Sequence, residues 1–161
     1  MNKRLIEIKT ELERVVQRGW SFAACARYGE MLAAVQLDPK MDIDLSEMQP
    51  KVRDLVISNS QNLVSAWENE CKHITQIVRS RFDLNYEELV ALLTSLSELA
   101  FVKLCLESLG VANLTVGVPP SEQELRVYLT GQGSAYPSSW DLPHTIVMEC
   151  KEHWWWKKPA R

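Results

Sequence analysis

The chain has 161 residues, of which 46% are hydrophobic and 24% are charged, and its formal net charge is −3. This length suits one domain with a substantial core, and the composition excludes a disordered chain and a membrane protein rich in apolar spans. The mildly acidic balance argues against nonspecific binding to nucleic acid, which requires many Lys and Arg side chains against the phosphates.

The opening segment and the cysteines favour a cytoplasmic location. The sequence MNKRLIEIKTELERVV alternates charged and apolar residues and lacks the unbroken apolar core of a signal peptide. The four cysteines lie far apart, none forms a C-x-x-C pair, and each lies in an apolar segment, where a thiol behaves as a small hydrophobic group. We therefore expect free thiols in a cytoplasmic protein. The cysteines are Cys25, Cys71, Cys105 and Cys150.

Two helices are predicted in the first 37 residues. Apolar residues recur at spacings of three and four over residues 5–16, which predicts a helix that ends near Gly19. A second helix is predicted to start at Ser21, whose hydroxyl suits an N-cap, and to end at Leu37. Gly29 lies inside this second helix and indicates either a turn or a close contact with another helix.

An acidic connection and one long helix are predicted to follow. The stretch DPKMDIDLSEMQP contains two prolines and four acidic residues, so we expect a connection and a new helix starting near Asp44 or Ser46, with Pro50 in its first turn. Apolar residues keep helical spacing over residues 48–78, which corresponds to a helix about 45 Å long. The polar run at residues 58–62 favours a kink or break, whereas a continuous helix would favour an elongated bundle or a dimer.

Residues 85–109 are predicted to form the central buried helix. Asn85 followed by Glu88 is the pattern of an N-cap with a capping box, and Gly110 favours a left-handed helix end. Apolar residues between them cover most of the circumference, which is typical of a helix packed on several sides. Polar and charged residues interrupt the stretch too often for a membrane span. The sequence thus predicts an all-α, single-domain bundle of about five or six helices around this one.

Shorter elements are predicted for the remaining chain. Residues 111–118 are rich in β-branched side chains and are expected to form one short strand or an extended connector. Ser121 followed by Glu124 predicts a short helix that ends at Gly131. After a loop of composition GQGSAYPSS, a last element is predicted to begin at about 139–143 and to reach the tryptophans, followed by a short basic tail at about 157–161.

The segment HWWWKKPAR carries three of the six tryptophans beside basic residues. Tryptophan is favoured at interface hot spots, and aromatic groups among cations suit stacking on a partner. Three consecutive helical residues point about 100° apart, so at most two share a face and core packing is the alternative. We also include two aspartates of the acidic connection, which offers an anionic patch to a basic partner. The candidate partner-binding residues are Trp154, Trp155, Trp156, Lys157, Lys158, Asp42 and Asp44.

Two pairs of residues have side chains that can ligate zinc. Cys71 and His73 form a C-x-H pair, and Cys150 and His153 form a C-x-x-H pair. Residues two apart on a helix project to nearly opposite sides, so the first pair cannot ligate one ion on an unbroken helix. We therefore predict neither a metal site nor a cofactor.

Two alternatives to protein binding remain. The sequence SFAACARYGEMLAAV, within residues 21–37, resembles a helix-turn-helix motif, and such a DNA-binding regulator would gather its basic side chains on one face. Its second helix offers only Gln36 to read bases. The basic side chains are Arg14, Arg18, Arg27 and Lys40.

The second alternative is an enzyme without a recognisable motif. No G-x-S-x-G, P-loop, H-E-x-x-H or dinucleotide fingerprint is present, and the three histidines support no catalytic spacing. By elimination we predict that the chain is not an enzyme. We expect it to bind another protein through a helical surface, as an adaptor, assembly factor, inhibitor or immunity-type protein, with association of two copies through the first helix as a further alternative.

Overall fold

Six α-helices make up most of the residues that the computed structural model describes, which are 3–41, 43–115, 117–137 and 150–159. The same residues contain three short 3₁₀ helices and no strand. The α-helices are α1 (Lys3–Gln17), α2 (Ser21–Leu37), α3 (Met48–Ser58), α4 (Ser60–Ser80), α5 (Tyr86–Ser108) and α6 (Glu122–Thr130). The 3₁₀ helices are Ala112–Leu114, Gly133–Ala135 and Lys151–Trp156.

Helix α5 is the centre of the bundle. It contacts α2 most extensively, and it also packs against α4 and the 3₁₀ helix Lys151–Trp156. By length and composition alone α5 is apolar enough to cross a membrane, so the prediction that polar and charged residues interrupt it too often for such a span is wrong. In this structure 56% of its most apolar window is buried by the rest of the chain. The predictions of an all-α fold and of a central buried helix are confirmed.

The ends of α5 follow from local sequence. The side-chain Oδ1 of Asn85 accepts a hydrogen bond of 2.9 Å from the backbone N–H of Glu88, which satisfies a free donor of the first turn. At the other end Gly110 has φ +73°, and its N–H donates to the Glu107 carbonyl at 3.2 Å. A residue with left-handed backbone angles lets the N–H groups at the end of the helix donate to carbonyls of the last turn. Glycine adopts these angles without strain. The predicted bounds therefore agree with the observed ones within one residue.

The prediction of one continuous helix over residues 48–78 is wrong, and the alternative of a break is confirmed. Helix α3 ends at Ser58, and α4 begins at Ser60. Asn59 between them leaves the helical conformation, with φ −126°, and its side-chain Nδ2 donates to the Leu55 carbonyl at 3.1 Å. The Leu55 carbonyl also accepts the backbone N–H of Asn59 at 3.0 Å, so the asparagine side chain adds a second bond to this carbonyl at the point where the helix breaks.

Two predicted helix starts are shifted in the structure. Helix α2 begins with Ser21 itself, and no side-chain hydrogen bond caps it, so Ser21 is not the N-cap. Helix α3 begins at Met48, four residues after Asp44 and two after Ser46, the two predicted starts. Asp44 accepts the N–H of Ser46 at 2.9 Å and forms a turn ahead of the helix. Pro50 lies in the first turn, as predicted.

Other predicted elements of the second half have mixed outcomes. Ser121 caps α6 by accepting the N–H of Glu124 at 3.2 Å, as predicted. The predicted strand within residues 111–118 is not formed among the described residues there, where Ala112–Leu114 is a 3₁₀ turn. The predicted helix start at 139–143 lies outside the residues that the structure describes.

Gly29 allows α2 and α5 to cross closely. A Cβ atom on Gly29 would lie 1.9 Å from the carbonyl oxygen of Phe101, so no other residue fits there without moving a backbone. Helix α2 runs unbroken through Gly29. The turn that a helix-turn-helix motif requires is therefore absent from residues 21–37, and the prediction of that motif is wrong.

Candidate functional site

The last described part of the chain, residues 150–159, packs against α5, and we call it the tryptophan segment. The side chains of Trp155 and Trp156 are buried, whereas Trp154 is half-buried. Lys157 and Lys158 are exposed. The core interpretation therefore describes two of the three tryptophans in this structure, and contact with a partner stays a prediction for the candidate residues.

The hydroxyl of Ser97, in the middle of α5, holds the tryptophan segment. The indole Nε1–H groups of Trp155 and Trp156 donate to Ser97 Oγ at 3.1 and 2.9 Å, and His153 Nδ1 lies 2.8 Å from the same oxygen. All four side chains are more than nine-tenths buried. We call this group the Ser97 cluster.

The Ser97 cluster has only one consistent arrangement of protons. A hydroxyl accepts two hydrogen bonds and donates one, and an indole can only donate. The two indoles fill the acceptor sites of Ser97, so its O–H donates to Nδ1 of His153. The imidazole is therefore neutral and carries its proton on Nε2.

Burial agrees with this neutral state. Desolvation lowers the pKa of His153 to about 4, although the carboxylate of Glu152 partly opposes the shift. The 2.8 Å contact has the length of a catalytic Ser–His pair, but the lone pairs of Ser97 are occupied and its side chain is 3% exposed. Ser97 therefore anchors the segment and is not placed to act as a nucleophile.

Aromatic contacts extend from the Ser97 cluster to the surface. The ring of His153 lies 4.7 Å from that of Phe101 and 5.1 Å from that of Trp155, centroid to centroid. Trp154 packs edge-on against Trp155 at 5.8 Å, and the guanidinium of Arg126 lies 4.0 Å above the Trp154 ring. The half-buried Trp154 is thereby fixed in orientation by an aromatic and a cationic neighbour.

A pocket of about 400 Å³ opens beside Trp154, and we call it the tryptophan pocket. Charged side chains reach it at Lys103 and Glu122. Its floor is braced by the Trp67 Nε1–H, which donates to the Gly117 carbonyl at 2.7 Å. Most of the lining is apolar, and it includes Trp67, Val118, Pro119, Pro120, Trp154 and Trp155.

A second pocket, of about 630 Å³, lies between α2, α5 and the other side of the tryptophan segment. We call it the histidine pocket, because the ring of His153 forms part of its wall beside Phe101 and Leu104. Ala100 and Lys103 of α5 line both pockets, so the two are neighbours on one surface. The tryptophan segment thus forms walls of two adjacent pockets.

The acidic candidates lie elsewhere. Asp44 is exposed, and the hydrogen bond from Ser46 lowers the pKa of its carboxyl group. It lines neither the tryptophan pocket nor the histidine pocket. Asp42 lies outside the residues that the structure describes.

The described zinc-ligand candidates form no cluster of three or more. No group of three or more His, Cys, Asp or Glu side chains is placed to hold a metal ion in the described part of the chain. Cys71 is buried, and desolvation together with nearby glutamates raises the pKa of its thiol to about 11, whereas His73 is exposed. A protonated thiol of this kind is a poor metal ligand.

The basic residues expected on a DNA-binding face have other partners. Arg27 pairs with Glu98 and, at 3.1 Å, with Glu30, and little of its side chain is exposed. Arg14 and Arg18 instead flank the ring of the exposed Trp20, at 5.9 and 5.1 Å. These contacts give no support to a gathered phosphate-binding face.

Sequence patterns alone did not reveal Ser97, Trp67 or Lys103 as part of a site. Ser97 interrupts the apolar stretch of α5 between Leu93 and Phe101, and a polar residue on a buried face requires a hydrogen-bond partner. This requirement is the one feature of the sequence that indicates a structural role for Ser97. Compared with protein families, curated proteins and solved structures, the chain shows no match to any of them.

Proposed function

We propose that the protein is a non-enzymatic, cytoplasmic binding factor whose tryptophan pocket takes a segment of another protein. The observation that carries this proposal is the pocket itself, which is apolar, open to solvent and walled by three tryptophans. Interfaces concentrate their binding energy where an anchor side chain enters such a pocket and excludes water. The roles of adaptor, assembly factor, inhibitor and immunity-type protein all require a surface that binds another protein.

The size and the charges of the pocket suggest the chemistry of the partner. A volume of about 400 Å³ suits one or two apolar side chains of an extended segment. Lys103 on the wall is exposed and has no ion pair within the described residues. An acidic residue next to the apolar anchor would therefore pair with Lys103 and fix the orientation of the segment.

Two exposed valines provide a matched test. Val118 lines the tryptophan pocket and is 84% exposed, whereas Val127 on α6 is 69% exposed and lines neither of the two pockets. A photo-reactive phenylalanine would replace each valine in turn, in protein expressed in its native cells. We expect position 118, and not position 127, to cross-link one protein, with the cross-link mapped to one segment.

Binding of that segment to two variants of the protein then tests the proposed function. A synthetic peptide of the cross-linked segment should bind the natural protein and the Val127→Asp variant equally. The Val118→Asp variant should bind it at least about tenfold more weakly, because a carboxylate would be placed against the apolar wall. Equal peptide binding by both aspartate variants, or cross-links from position 127 alone, would refute the proposal.

A further inference from the structure

His153 presents an unused hydrogen-bond donor to the histidine pocket. Its side chain is 5% exposed, and Ser97 occupies Nδ1, which leaves the proton on Nε2. No described residue accepts a hydrogen bond from that Nε2–H, and the ring lines the histidine pocket. A donor on a pocket wall that no protein group engages marks a place where an acceptor atom of a ligand can bind.

We propose that the histidine pocket binds a small organic molecule that has an apolar body and a carbonyl or carboxylate oxygen, which accepts the Nε2–H of His153. Nothing in this inference depends on protein binding at the tryptophan pocket. The Ser97 cluster acts here as a positioning device, because it fixes both the tautomer and the plane of the imidazole.

The walls of the histidine pocket determine the rest of the ligand. Phe101 and Leu104 give an apolar surface beside the imidazole, which suits an aromatic or branched aliphatic body. The charged groups balance, since two lysines and two glutamates line the pocket. This balance disfavours a multiply charged phosphate ester and suits a neutral or singly charged ligand. The four charged residues are Lys103, Glu107, Lys151 and Glu152.

The neutral state of His153 makes the site selective for acceptors. A histidine with a pKa of about 4 is neutral at physiological pH and offers one N–H donor to the pocket. A cationic amine cannot accept that hydrogen bond. Molecules of equal size that differ only in the polar group should therefore bind very differently.

Three probes of nearly equal size test this difference. Phenylacetamide and phenylacetate offer an acceptor oxygen, whereas phenethylamine offers only donors. The full chain, with ¹⁵N in its histidine rings, is titrated at neutral pH with each probe up to its solubility limit, and nitrogen-detected NMR follows the Nε2 signal of His153. We expect a saturable shift with at least one oxygen probe, and affinity at least about tenfold weaker for the amine.

Variants separate the histidine pocket from its neighbour. His153→Leu, checked for folding, has no donor at this position and should lose the preference for oxygen over amine. Leu104→Glu, on the half-buried pocket wall, should weaken binding of the oxygen probes without touching the Ser97 cluster, and so tests the site even if His153→Leu fails to fold. Val118→Asp, in the tryptophan pocket, should leave binding unchanged. Absence of a saturable shift with both oxygen probes, or equal binding of the amine, would overturn the proposal.

Discussion

Two neighbouring residues of α5, Ser97 and Glu98, hold two different parts of the molecule by different means. Glu98 pairs with Arg27 of α2, which also pairs with Glu30 at 3.1 Å, and Glu30 is 2% exposed. Ser97 holds the tryptophan segment with uncharged groups alone. The first region is an ionic network at the α2–α5 crossing, and the second is a neutral hydrogen-bond cluster.

The difference between these regions concerns the cost of burial. Charges removed from water must be paired, and removal of one partner leaves a buried charge without compensation. Uncharged groups cost less to bury, and in the Ser97 cluster both indole donors and the serine hydroxyl are satisfied. Removal of one ionic partner should therefore cost more stability than removal of one hydrogen bond of the neutral cluster.

Removal of the Glu30 carboxylate should have the largest effect on the stability of the protein. The Glu30→Ala variant leaves Arg27 and Arg4 without the carboxylate that both approach, so the free energy of unfolding should fall by about 4 kcal/mol. Glu47→Ala is the control, because Glu47 pairs with Lys51 on the surface and should change stability by less than about 1 kcal/mol. Urea denaturation measures both, and equal losses would contradict the importance of the network.

A side chain at Gly29 should have the next largest effect. The Gly29→Ala variant places a Cβ against the backbone of Phe101, and we expect a loss of about 3 kcal/mol as α2 and α5 move apart. Alanine favours helices over glycine, so the clash must outweigh a gain of about 1 kcal/mol. Asn69→Ala, on the exposed face of α4, is the control without a clash. A Gly29→Ala variant as stable as the natural chain in urea would show that the helices are not in contact.

Loss of the Ser97 hydroxyl should cost less than either change. In Ser97→Ala the indoles of Trp155 and Trp156 lose their acceptor, and we expect a loss of about 2 kcal/mol. Ser95→Ala, two residues earlier on α5 and half-buried, removes a hydroxyl for which no hydrogen bond is described and should stay within about 0.5 kcal/mol. Similar urea midpoints for the two variants would contradict a stabilising role of the Ser97 hydroxyl.

Acidification should weaken the neutral cluster by a smaller amount. The unfolded imidazole binds a proton near its ordinary pKa of 6.5, whereas folded His153 has a pKa of about 4. Between these values only the unfolded chain is protonated, so the free energy of unfolding falls as the pH falls. Between pH 7 and pH 5 the titration of His153 should lower the free energy of unfolding by about 1.8 kcal/mol. In urea denaturation the His153→Gln variant should lack this part of the pH dependence. An identical pH dependence in the variant and the natural protein would refute the prediction.

Local sequence patterns predicted the helices well because each pattern acts over one or two turns. Asn85 with Glu88 and the left-handed Gly110 set the ends of α5, and the polar run around Asn59 divides α3 from α4. These features depend on hydrogen bonds between residues three to five positions apart, which a sequence displays directly.

The candidate site could be predicted only in part. The three consecutive tryptophans are evident in the sequence. Ser97, which bonds Trp155 and Trp156, lies 58 and 59 positions earlier in the chain and leaves no local pattern. The consecutive tryptophans also form a 3₁₀ turn, in which Trp155 and Trp156 are both buried. Which apolar surfaces meet is decided by packing of the whole bundle, so neither pocket could be derived from periodicity.

The composition of the tryptophan segment gives the protein an internal reporter of local opening. The segment contributes three of the six tryptophans but only one short 3₁₀ turn to the helical structure. Detachment of the segment from Ser97 would change intrinsic fluorescence strongly and the far-ultraviolet circular dichroism hardly at all. Two optical signals from one sample would then follow different events, and a fluorescence midpoint at lower denaturant concentration would identify the segment as a separate, less stable unit of the fold.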